Sequence, residues 1–90
     1  MTTNGVWLNV DPECLVLQTE AAETLRRAEG ELVLDFSSVV RIDSRAALAM
    51  EALADLASQT SRKIELRAVN TSIYRTLKLL KLAQRFTVLS

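Results

Sequence analysis

Ninety residues, 49% of them apolar, with eleven acids balanced by eleven bases, leave room for one hydrophobic core and exclude a disordered chain. The zero net charge argues against a general nucleic-acid binder, whose phosphate contacts call for a basic excess. Cys14 is the single cysteine, so no internal disulfide can form, and a reducing, cytoplasmic setting is expected.

The first elements are expected to be strands. VWLNV (Val6–Val10) and CLVLQ (Cys14–Gln18) favour extended backbone, and Asp11-Pro12-Glu13 between them reads as a turn, which predicts an N-terminal β-hairpin. TEAAETLRRAEG follows as a helix with Thr19 and Glu23 near its start and Gly30 placed to end it. ELVLDFS (Glu31–Ser37) reads as an inner strand, because its unbroken Leu-Val-Leu core suits burial on both faces.

The clearest helix is DSRAALAMEALADLASQ, in which Leu48, Leu53 and Leu56 are expected to face the sheet. KIELRAV (Lys63–Val69) alternates as a half-buried strand with Ile64, Leu66 and Ala68 on one side. NTSIYRTLKLLKLAQ is the last helix, capped by Asn70 or Thr71 and striped by Ile73, Leu77 and Leu80. Arg75, Lys78, Lys81 and Arg85 would share its solvated face. RFTVLS closes as a strand. The predicted architecture is α/β in the order β-β-α-β-α-β-α-β: a single domain over residues 1–90, with packed helices on a mixed sheet. No run approaches the ~18 apolar residues of a membrane span. The start MTTNGVW lacks the basic and apolar segments of a signal peptide.

Enzyme chemistry finds little to work with. The chain has no histidine to act as a base and only two glycines, Gly5 and Gly30, too few for a phosphate-binding loop. No metal-ligand cluster and no cofactor motif stands out. What does stand out is Asp43-Ser44, where a strand hands over to a helix. Asp and Ser are the commonest helix caps, so a cap alone explains the pair. The carboxyl ends of strands in open α/β sheets are also where binding sites gather.

LVLDFSSVVRIDSRAALAM (Leu32–Met50) resembles the signature of STAS domains, small modules of bacterial anti-sigma factor antagonists and sulfate transporters. Asp35-Phe36-Ser37 matches the strand-end Asp-Leu-Ser of that pattern, and Ile42-Asp43-Ser44 matches the Asp-Ser that opens its long helix. Arg45 and Ala46 depart from its usual Ser/Thr-Gly. The resemblance spans roughly residues 31–90 and implies a non-enzymatic regulatory module with the STAS-like fold. It would bind a kinase-type anti-sigma factor and be switched by phosphorylation at Ser44. The implied partner surface is Asp43, Ser44, Arg45, Ala46, Ala47 and Ala49, with Asp35 structural. AVNTSIYRTLKLLKL is also similar to the small STAS subunit on the ATPase of bacterial phospholipid ABC transporters, which implies that ATPase as the alternative partner. Neither resemblance implies a metal, a cofactor, nucleic acid or direct membrane insertion.

Overall fold

The computed structural model describes residues 5–27 and 30–89. Its elements are β1 (Val6–Asn9), α1 (Leu15–Gln18), α2 (Glu20–Arg27), β2 (Leu32–Asp35), α3 (Ser44–Gln59), β3 (Ile64–Arg67), α4 (Thr71–Leu79), one 3-10 turn (Ala83–Arg85) and β4 (Thr87–Leu89). From β2 onward the expected alternation of strand and helix is borne out. The predicted end of the first helix at residues 28–29, and residues 1–4 of the start read for a leader, lie outside the described residues.

The N-terminal hairpin is not formed. CLVLQ supplies a helix, α1, instead of a second strand. The cause is Asp11. Its carboxylate accepts the amides of Leu15 (3.0 Å) and Val16 (2.9 Å), and its carbonyl accepts Cys14 N–H (2.8 Å). Asp11-Pro12-Glu13 therefore leads into a helix whose N-cap is Cys14 and whose first amides the Asp11 carboxylate accepts, and is not a hairpin turn. With a helical connection in place of a hairpin, β1 joins β2 in parallel. Among the described residues the four strands are all parallel, in the order β1-β2-β3-β4, and not the expected mixed sheet.

Sequential order has a geometric consequence. Parallel crossovers are right-handed, and three that each step in the same direction place their helices on the same side of the sheet. Burial follows that rule. Leu32, Leu34, Ile64 and Leu66 are buried, while their neighbours Val33, Asp35, Glu65 and Arg67 are half-buried or exposed. The core lies between the helices and one sheet face, with Leu17 of α1, Leu25 of α2, Met50 and Leu53 of α3, and Ile73 and Leu77 of α4.

In α3 the buried positions are Ala46, Met50, Leu53, Ala54 and Ala57. Leu53 packs inward as expected and Leu56 is half-buried, but Leu48 is 66% exposed. The helical period explains this. Leu48 and Leu53 are five residues apart, which places them about 140° apart around the helix at ~100° per residue. In α4, Ile73 and Leu77 are buried while Leu80, the residue beyond its last turn, is 48% exposed. Ala68 leaves β3 with φ 60° and is exposed. The four basic residues do not share one helix. Arg75 and Lys78 lie in α4, Lys81 has φ 61°, and Arg85 sits in the 3-10 turn paired to Asp55 at 2.9 Å.

Asn70 caps α4, accepting Ile73 N–H at 2.8 Å, and donates through Nδ2 to the carbonyl of Val40 at 2.9 Å. One side chain thus starts a helix and ties down the loop between β2 and α3. Asn70→Ala is expected to lose about 2 kcal/mol, roughly one for the cap and one for the cross-link. Asn70→Asp, which keeps the acceptor and loses the donor, should lose about half of that. Urea unfolding of both variants measures the difference.

Candidate functional site

The loop from Phe36 to Asp43 carries the chain from β2 to α3 at the carboxyl end of the sheet. Its first anchor is Phe36, fully buried, whose amide donates to the carbonyl of Arg67 (2.8 Å) and whose carbonyl accepts Val39 N–H (2.9 Å). Asp35 accepts the Ser37 amide at 2.8 Å, the structural role expected of it. Its last anchor is Asp43, the N-cap of α3, which accepts Ala46 N–H at 2.8 Å.

With Asp43 as the cap, Ser44 is the first residue of the helix, and it is exposed. Its hydroxyl is therefore available to solvent at a helix N-terminus, where backbone amides and the helix dipole favour an anion. Arg45 is also exposed, and Ala47 and Ala49 are half-buried. Ala46 is 1% exposed and belongs to the core. It follows one residue behind Arg45, on the stripe that faces the sheet, so the predicted surface of small residues is interrupted there. Asp43, Ser44, Arg45 and Ala47 come together around the helix start.

The start of α3 borders two depressions, the first of which Ser44 lines. One is an apolar groove of about 420 Å³ between α3 and the segment after α4, lined by Ile42, Ala47, Leu48, Leu80 and Leu82, with Asp43 and Glu51 at its rim. The other is a polar cleft bounded by Glu13, Cys14, Arg41, Asp43 and Arg45. Sequence reasoning missed Leu48 and Leu80 as groove residues because it assigned both to the core. Their angular offset from Leu53 and Leu77 was the available signal.

Cys14 is buried at the start of α1, and burial pushes its thiol up from its ordinary value, with Asp11 and Asp43 acting in the same direction. A thiol held protonated is a poor nucleophile. Among the described residues no three acids or cysteines gather as metal ligands. No helix among them is long and apolar enough to cross a membrane.

Two carboxylates are held below the usual range. Asp35 is lowered by the Ser37 hydroxyl and amide, and Asp11 by the amides of Leu15 and Val16. A carboxylate whose folded pKa is depressed contributes stability that is present above its unfolded pKa, about 4, and lost as pH falls through the folded pKa. Unfolding free energy is therefore expected to fall on acidification below about pH 4. Asp11→Asn and Asp35→Asn should each flatten that fall, as read from denaturant titrations across this range.

The STAS domain profile matches residues 14–90, from the start of α1 to the chain's end. No curated protein matches the chain by sequence. Among solved structures, the fold is similar to a candidate anti-sigma factor antagonist from Thermotoga maritima. The TM-score is 0.71 at 22% identity, over 98% of this chain and 74% of that one. With that match over most of its length, the chain belongs to the STAS domain family.

Proposed function

We propose that this chain is a non-enzymatic, cytoplasmic regulatory module that works as an anti-sigma factor antagonist. It binds a kinase-type anti-sigma factor through the start of α3 and the adjoining groove, and phosphorylation of Ser44 releases it. The observation that carries the reading is the exposed hydroxyl of Ser44 at the N-terminus of α3, with the cap supplied by Asp43. The hydroxyl can then be modified without removing a fold-forming hydrogen bond. The family and the anti-sigma antagonist neighbour support the same class of partner.

The second reading is a permanent subunit on the ATPase of a phospholipid-transporting ABC complex. It is favoured by the exposure of Leu48 (66%), Leu79 (78%) and Leu80 (48%), since a fixed partner covers apolar surface more completely than a transient one. Arg45 in place of a second hydroxyl fits it as well. The test is calorimetric binding of the purified chain to the serine kinase or the ATPase encoded beside its gene, with Ser44 unmodified and phosphorylated. Kinase binding that phosphate abolishes supports the first reading. ATPase binding that is indifferent to phosphate supports the second.

A further inference from the structure

The groove lined by Ser44 has walls from two different crossovers. Ile42, Ala47 and Leu48 form the wall that follows β2, and Thr76, Leu80 and Leu82 form the wall that follows β3. Helix α3 packs against α1 and α2 rather than against α4, so the walls are not held by one helix seated on the other. Among the described residues, two polar side-chain links join segments more than five residues apart, and both span these walls. Asn70 reaches the loop before α3, and Arg85 pairs with Asp55 in α3. The remaining side-chain hydrogen bonds join near neighbours. The Arg85–Asp55 pair is solvated on both sides and contributes little. Asn70 is the more specific link. Its Nδ2 donates to the carbonyl of Val40 at 2.9 Å and reaches that of Val39 at 3.5 Å, while its Oδ1 accepts Ile73 N–H at 2.8 Å. Val39 is buried and Val40 exposed, so the bond catches the loop where it leaves the core.

We infer that Asn70 is the positioning residue of this groove. Through Val40 it sets the wall that carries Ile42 and Ser44 against the wall that carries Leu80 and Leu82. The inference rests on the proposed reading that this surface receives the partner. It gives a reason for asparagine here. Asp and Ser cap a helix as well as Asn does, but only Asn adds an amide donor on the far side of the same group. One end of the side chain starts α4 and the other holds the loop. Without the donor the loop leaves its groove-forming placement part of the time, and the partner binds only the fraction that keeps it. The modest net strength of one such bond corresponds to an affinity lower by about three- to tenfold.

The test compares Asn70→Asp and Asn70→Ser, which keep a capping oxygen and lose the amide donor, with Asn70→Ala, which loses both. Each intact variant is titrated calorimetrically against the partner that wild type binds, at a temperature where circular dichroism shows it folded. All three are expected to bind about three- to tenfold more weakly, although Asn70→Asp and Asn70→Ser keep more stability than Asn70→Ala. A second measurement needs no partner. The methyl resonances of Ile42, Leu80 and Leu82 are expected to move in Asn70→Asp and Asn70→Ser, while those of Leu25, buried under α2, stay in place. The inference is overturned if Asn70→Ser binds as tightly as wild type, since Asn70 is then a helix cap and nothing more. It is equally overturned if the groove methyls keep their wild-type positions in both donor-less variants. If wild type binds neither the kinase nor the ATPase, the reading of the site fails, and the methyl resonances alone decide whether Asn70 positions the groove.

Discussion

Phosphorylated protein and Ser44→Asp are expected to bind the partner at least about a hundredfold more weakly than wild type, while Ser44→Ala binds within a few-fold of it. The asymmetry follows from the division of labour at the helix start. Asp43 accepts the Ala46 amide and holds the cap, so removing the Ser44 hydroxyl leaves α3 intact. A phosphate adds about −1.5 to −2 charges beside Asp43, with Glu51 on the rim of the same groove. The helix dipole favours that charge by roughly 0.3–1 kcal/mol, so the modified chain stays folded. A partner closing over it would have to desolvate the charge, at a cost of several kcal/mol if it is uncompensated. Calorimetry with the proposed partner, a kinase-type anti-sigma factor, measures the ratio, and thermal unfolding of each variant checks the fold. Equal affinity for wild type, Ser44→Asp and phosphoprotein would remove the regulatory role of Ser44.

Leu53→Ala should cost about 2–5 kcal/mol of stability, and Leu48→Ala no more than ~0.5. Both are leucines of α3, but Leu53 is 2% exposed against 66% for Leu48. Truncating Leu53 opens a cavity among side chains that cannot fully close around it. A loss near 3 kcal/mol lowers the unfolding midpoint by roughly 12–24 °C in a domain of this size. Truncating Leu48 instead removes one wall of the groove beside Ser44. Its expected effect is on partner binding, with the thermal midpoint almost unmoved. Differential scanning calorimetry of the two variants, paired with binding, separates the roles. A large stability loss at Leu48, or none at Leu53, would reverse the assignment of the two faces.

Much of this protein is set by local sequence. Helices α3 and α4 are readable because their apolar periods are long, and Asp43 and Asn70 are capping residues placed just before apolar runs. The helix start at Asp43-Ser44 is legible for the same reason, but which of the two caps it and that Ser44 is exposed come from the fold. The N-terminal segment was misread because Leu-Val-Leu suits strand and helix alike over four residues. What decides between them is the reach of the Asp11 carboxylate to amides four and five residues on. Which face of each helix is buried depends on angular differences that a list of leucines blurs, as Leu48 and Leu53 show. The groove beside Ser44 was beyond local reading altogether. It joins Ala47 and Leu48 to Leu80 and Leu82, more than thirty residues apart, and only the packing of α3 and α4 on one sheet brings them together. The placement of the described helices on one side of the sheet has the same origin. The alternation in each strand shows that one side is less apolar, but only the strand order, set by successive right-handed crossovers, puts every helix on the other side.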